Sequence, residues 1–353
     1  MKKYPSFLFF LSFVVLIGLC SSCERIGFGD DSGQTGGTDE EERIPVIRNV
    51  WETEKGTLTD GQLNYSFVDN AEGSGRVVCV DNSSDTVTVV VIPDAVLVDG
   101  VAYNVVSIAE GAFYRCENLR SVSIPEGVTE INGYVFYKCE NLSSLTLPSS
   151  MTKIGNYAFY NCKSLTSVTL PSKMTTIGDG SFSGCSNLAS IDIPKNVTAI
   201  GAYAFASCSS LSYLVIPANV VTIGYGAFES CHSLSSLTMA PNKLGIGDRA
   251  FFNCTGLVAV TIPEGVEELG RAAFSNCSAL SSVTLPSTLV TIGEAAFNGC
   301  GRLTDVKNMR SKPQELDADC FSIFGTLHVR SGYGDVYAKA EVWKQFTIVE
   351  DAR

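Results

Sequence analysis

Phenylalanine returns every 23 residues along most of this chain, at 113, 136, 159, 182, 205, 228, 251, 274 and 297. Cysteine keeps the same step from Cys116 to Cys300, and leucine keeps it from Leu119 to Leu303. Three columns held over nine units define a repeat, and a repeat of this length belongs to a solenoid of stacked units. A single unit cannot bury its own Phe, Cys and Leu, so each unit depends on the neighbours above and below it.

Spacing inside the unit sets its local structure. Leu119-x-x-Val122-x-Ile124 ends in the alternation of a half-buried strand, and Pro125 stops it, because proline offers no N–H to a ladder. Val128-x-x-Ile131 is a second, shorter apolar stretch. A glycine follows it at Gly155, Gly178, Gly201, Gly224, Gly247, Gly270 and Gly293, with Asn132 in that place one unit earlier, which reads as a corner at positive φ. Phe113 and Cys116 lie one helical turn apart, so a short helix or 3-10 turn that points both inward is expected. One unit, Thr238-Met239-Ala240-Pro241, moves its proline by one residue and predicts a local bulge or bend.

The unit A-F-x-x-C-x-x-L-x-x-V-x-I-P-x-x-V-x-x-I-G-x-x resembles the 23-residue leucine-rich repeats of the BspA-like family of bacterial surface proteins. It departs from better-known leucine-rich repeats in carrying Pro after the strand, as at Pro125, Pro148 and Pro171, where other classes carry Asn two residues later. The resemblance covers residues 108–308. It implies a right-handed β/α superhelix of short strands with short helical or 3-10 turns. It also implies a scaffold for protein binding or adhesion, since some members of that family are adhesins. Residues 44–107 break the period with alternating stretches such as Thr86 to Ile92, and Asp99-Gly100 reads as a turn between apolar runs; this is a β-rich N-terminal cap. Residues 309–353 form a mixed C-terminal cap, with a strand at Thr326–Val329 and a helical spacing through Tyr333, Tyr337, Ala340 and Trp343.

The first 22 residues read as an export signal: Lys2 and Lys3, then the apolar run Phe7 to Leu19, too short to span a bilayer comfortably. Ser21-Ser22 before Cys23 resembles a bacterial lipobox with Cys23 as the lipidated residue, although Cys20 stands where a lipobox carries Leu. An ordinary secretory signal cleaved nearby is the alternative. A lipid on Cys23 would anchor the chain to the membrane without spanning it, at the outer membrane and cell surface. Residues 23–43 are rich in Gly, Asp, Glu, Ser and Thr and read as a flexible acidic tether.

A net charge of −12 gives the chain no electrostatic reason to hold nucleic acid. The ladder cysteines face the core and read as reduced, buried thiols; Cys79 and Cys320 stand outside the ladder. No phosphate loop, G-x-S-x-G or H-E-x-x-H is present, His232 beside Cys231 reads as a solvated residue, and neither metal nor cofactor is expected.

Binding is therefore sought on the faces of the solenoid. Ser and Thr fill two columns of the strand face, and Tyr213 and Val215 interrupt both together. Tyr114, Tyr137 and Tyr160 form one further column, and Tyr134, Tyr157 and Tyr203 another. Exposed tyrosine favours interfaces, though aligned rings also stack merely to stabilise coils. A protein ligand, a glycan captured as nutrient, and a passive envelope scaffold all remain open at this point.

Overall fold

The structure is a computed structural model that describes residues 46–52, 58–67, 76–82 and 86–351, the third stretch as main chain only. Residues 1–45, on which the expected export signal, Cys23 and the expected tether fall, and the side chain of Cys79 lie outside the described residues.

The short apolar stretch of each unit becomes a two-residue strand. Glu130–Ile131, Lys153–Ile154, Thr176–Ile177 and Ala199–Ile200 pair in parallel, each residue with its equivalent one unit on, and the series runs to Thr291–Ile292. Towards the N-terminus Ile131 pairs with Ile108 of the strand Val101–Ile108. The same sheet then continues through Arg76–Asn82, Leu63–Phe67, Leu58–Thr59 and Trp51–Glu52. Hence the N-terminal segment is β-structure that extends the rungs of the solenoid. Ala95–Val98 and Val101–Ile108 form a hairpin, and its turn at Asp99 and Gly100 has φ of 50° and 82°.

The longer stretch makes a second column of parallel strands. Ser121–Ser123 lies between Val89–Val91 and Ser144–Thr146, and Ser282–Leu285 pairs with Asp305–Asn308. Thr326–Arg330 and Thr347–Asp351 add two more rungs beyond the last 23-residue unit. The displaced proline at Pro241 leaves the strand undisturbed: Ser236–Met239 stays in register with Tyr213–Ile216. The slip is absorbed in the bend at 241–243, where Leu244 is buried, and Ile246 is back in register with Ile223.

Two local expectations are corrected. Cys116 N–H does donate to the Phe113 carbonyl at 3.2 Å, but Arg115 between them has φ 58°, so the segment is a run of turns and not a helix. Alternate N–H groups leave the coil and donate to the next one: Phe113 to Val135 (2.9 Å) and Arg115 to Tyr137 (2.7 Å). Stacking thus satisfies donors that a helix would satisfy internally. Helical turns appear only past the repeats among the described residues, as Gly334–Tyr337 and the 3-10 turn Trp343–Gln345.

The corner glycines are required for a different reason from the one expected. Gly178 and Gly293 are not at positive φ. The preceding coil passes so close that a Cβ would stand 2.7 Å from the Ile154 carbonyl oxygen at Gly178, and 2.6 Å from the Arg271 nitrogen at Gly293. Positive φ falls two residues later, at Tyr134 (57°), Tyr157 (55°) and Tyr203 (54°).

The core follows the three columns. Phenylalanine rings from Phe113 to Phe297 stack with centroids 5.1–5.9 Å apart, and Phe321 continues the stack. Trp343 and Phe346 then meet Phe321 at 59° and 87°, which ends the file edge-on. Cys320 takes the place that alanine holds in other units: Phe297 N–H donates to its carbonyl as Phe274 donates to that of Ala296. Each thiol from Cys139 to Cys300 is free and buried, and donates to the Phe carbonyl 26 residues upstream, as Cys139 does to Phe113 at 3.1 Å.

Candidate functional site

Tyr114, Tyr137 and Tyr160 form one continuous file, with centroids 4.8 Å apart and planes 1° and 10° from parallel. Tyr134 and Tyr157 stack beside it at 5.3 Å and touch the first file at Tyr137 and Tyr160, 5.8 and 6.0 Å away. Five tyrosines on three coils thereby become one cluster. Tyr114 is 50% exposed and Tyr134 37%. The faces of Tyr137 are covered by its neighbours, so its exposure comes through the ring edge. Burial, and then the neighbouring Tyr160, Tyr114 and Tyr134 hydroxyls, push the Tyr137 hydroxyl above its ordinary pKa. Lys138 holds its ammonium 5.6 Å from the centre of the Tyr137 ring.

Local geometry holds these rings in place. Tyr157 turns its ring over the next coil, where the residue in its own column is Gly180, and a Cβ there would collide with the ring. Tyr203 does the same over Gly226, with a Cβ only 2.7 Å away. Tyr203 lies apart from the five, in edge contact with Tyr225 at 5.2 Å. Burial, then the hydrogen bond with Tyr225, raise its pKa. Arg249 closes this second group: Nη2 donates to Glu229 Oε1 at 2.7 Å, and the guanidinium lies 3.8 Å from the centre of the Phe252 ring.

Tyr213 and Val215 belong to the long strand Tyr213–Ile216, elsewhere on the coil, and are 43% and 53% exposed. Their strand neighbours are Ser236 and Thr238. Among the described residues no aromatic contact joins them to the tyrosine cluster.

Sequence reasoning passed over Tyr225, Arg249 and Phe252, and also a cavity of about 270 Å³ at the foot of the tyrosine cluster. That cavity is lined by Glu110, Glu130, Asn132, Tyr134, Lys153 and Asn156 among others. The column that holds Glu110, Asn156 and Tyr225 changes residue at every coil, and Arg249 and Phe252 each occur once in theirs, so no periodic signal marks them. His232 lies 3.2 Å from Asn253, while the Cys231 thiol donates to the Phe205 carbonyl, so the two do not form a dyad. Among the described residues no group of His, Cys, Asp and Glu could hold a metal ion, and no helix is long and apolar enough to cross a membrane.

A chain of parallel rungs with inward Phe, Cys and Leu is a leucine-rich-repeat solenoid. Comparison with known proteins makes this specific. The BspA type leucine rich repeat region matches in six copies, over residues 106–235 and 198–328, and the chain belongs to that family. A leucine-rich repeat protein from Bacteroides ovatus is 26% identical with a TM-score of 0.57, over 82% of this chain and 80% of that one. The leucine rich repeat protein of T. pallidum is 30% identical with a TM-score of 0.50, over 55% and 87%. A leucine rich cell surface protein from Faecalibacterium prausnitzii is 23% identical with a TM-score of 0.54, over 84% and 95%, and shows the fold alone. No curated protein matches the chain.

Proposed function

We propose that this chain is a non-catalytic scaffold of the bacterial cell surface, held there by a lipid on Cys23, that binds protein partners through its tyrosine-bearing side. The observation that carries the reading is the cluster of Tyr114, Tyr134, Tyr137, Tyr157 and Tyr160, a preordered and partly exposed aromatic area. Stacking has already fixed the rings, so a partner immobilises little more on binding, and tyrosine is enriched among residues that dominate interface energies. Glycan capture is the weaker reading. A sugar ring stacks on an open aromatic face, and the files cover most of theirs. The export signal and the family support a surface location.

The location is tested by brief external proteolysis of intact cells, with lysed cells as control. Cleavage of the repeat region in intact cells is the expected result. Protection until lysis would place the chain inside the envelope and remove the surface reading.

A further inference from the structure

The molecule carries two aromatic groups on the same columns of the coil, and only one of them is complete. In the group around Tyr203 and Tyr225, Arg249 forks onto Glu229 with contacts of 2.7 and 3.2 Å and lies over Phe252 at 3.8 Å. Arg249 stands in the column of Tyr134, and Glu229 and Phe252 stand in the column of Tyr114 and Tyr137. That is a cation held between a carboxylate and an aromatic face, and the chain supplies all three parts.

Nearer the N-terminus, Tyr114 and Tyr137 stand in the column of Glu229 and Phe252, no arginine is present, and the carboxylates Glu110 and Glu130 lie in other columns. In the column of Tyr134 and Arg249 the preceding coil offers Gly111, and a Cβ there would meet only the Tyr114 Cβ, 3.9 Å away. Tyr134 stacks on Tyr157 with one face, so its other face looks across this gap. Glu110 stands beside Gly111, and its Oε1 lies 3.5 Å from where a Cβ of Gly133 would be. Glu130 shares the wall of the cavity, of about 270 Å³. Lys153 is the cross-strand neighbour of Glu130, yet among the described residues no ion pair forms on Glu130 or Glu110.

We propose that the slot beside Tyr134, in the cavity lined by Glu110 and Glu130, receives an arginine side chain of a protein partner. This rests on the scaffold reading and names the chemistry of its site. A guanidinium in the slot pairs with carboxylate oxygens on one side and covers the free Tyr134 face on the other, as Arg249 does with Glu229 and Phe252. The overall charge of −12 favours encounter with a basic segment.

The test uses the full chain and a short acetylated peptide, Gly-Arg-Gly, beside its neutral counterpart with citrulline for arginine, both followed by nuclear magnetic resonance at low salt. The arginine peptide is expected to bind at least about threefold more tightly than the citrulline peptide. Glu110→Gln with Glu130→Gln is expected to remove that preference, and Tyr134→Leu to weaken binding about threefold, with Tyr213→Ser leaving it unchanged. The carboxylates are exposed or on the cavity wall, so the double amide variant folds and keeps the test decisive even if Tyr134→Leu unfolds its coil. Equal binding of the two peptides, no binding of either, or a preference that survives the double variant overturns the proposal. Binding of oligosaccharides instead, abolished by Tyr134→Leu, reassigns the slot to sugars and overturns it too. If the slot fails while particles coated with the chain still adhere to protein surfaces, only this inference falls. Loss of all adhesion would remove the scaffold reading itself.

Discussion

The ladder cysteine sits where its backbone neighbours need a donor. The Phe113 carbonyl accepts the N–H of Cys116 in its own coil and the S–H of Cys139 in the next. Burial pushes the ladder thiols of Cys185 and Cys254, and the Cys320 thiol beyond the ladder, up to about 12. An unfolded thiol titrates near 8.5, so above about pH 8.5 the unfolded chain releases protons that the folded chain keeps. Stability is therefore whole below that value and falls as pH rises towards 12, by about 1.4 kcal/mol per pH unit for each such thiol. Urea midpoints measured from pH 8 to 10 should drop steeply. The combined variant Cys185→Ala, Cys254→Ala and Cys320→Ala should start less stable but lose less over the same range. A wild-type midpoint that does not change with pH contradicts this. Thiol reagents should likewise modify the folded chain only as fast as it opens.

Elements repeat what residues dictate, and here the sequence was legible wherever a residue type recurred. Leu119, Val122 and Ile124 marked a strand, Pro125 its end, and Phe113 with Cys116 an inward pair, because each unit restates the same demand. The conformation of the connecting turns was not legible. Phe113 and Cys116 have the spacing of a helix, yet hydrogen bonds to the next coil replace the helical ones, and only the stack supplies those acceptors. Glycine at Gly178 records the nearness of another coil, which spacing within one unit does not reveal. The tyrosine columns were readable as columns. Their fusion into one cluster depends on ring tilt, and the Arg249 closure on single residues, so neither left a periodic trace.

The N-terminal segment lacks the repeat's own columns, and one buried carboxylate ties several of its groups together. Asp60, with its side chain 2% exposed, accepts from the Leu63 and Gln62 N–H groups at 2.7 and 2.8 Å, and from Arg48 and the Tyr65 hydroxyl at 2.9 Å. Burial raises its pKa, but these hydrogen bonds together outweigh it and hold the carboxyl below its ordinary value. Its stabilisation is full above the ordinary carboxylate range and is lost as pH falls through the lowered value. Asp60→Asn should cost the segment roughly 1.5–3 kcal/mol. Amide exchange of Leu63–Phe67 should accelerate in that variant while the coil at Phe113 keeps its protection. Unchanged exchange at Leu63–Phe67 would show that the carboxylate does not hold the segment.

For the whole molecule, solenoid stacking turns single side chains into extended surfaces with one residue per coil. The Ser and Thr columns of the long strands form one such surface, interrupted by Tyr213 and Val215, and the tyrosine cluster forms another. The second is preordered by its own ring contacts and adjoins a cavity lined by Glu110, Glu130 and Lys153. The central claim is that this side does the binding. Its most direct test is adhesion of particles coated with the purified chain to a panel of extracellular-matrix proteins and bacterial cells. Three proteins are compared: the wild type, the variant Tyr114→Ser, Tyr137→Ser and Tyr160→Ser, and the variant Tyr213→Ser with Val215→Thr. The expected result is adhesion by the wild type, its loss in the first variant and its retention in the second. Adhesion that survives the first variant, or is lost only in the second, would contradict the assignment of the binding side. Wild-type particles that adhere no better than bare ones would contradict the binding function itself.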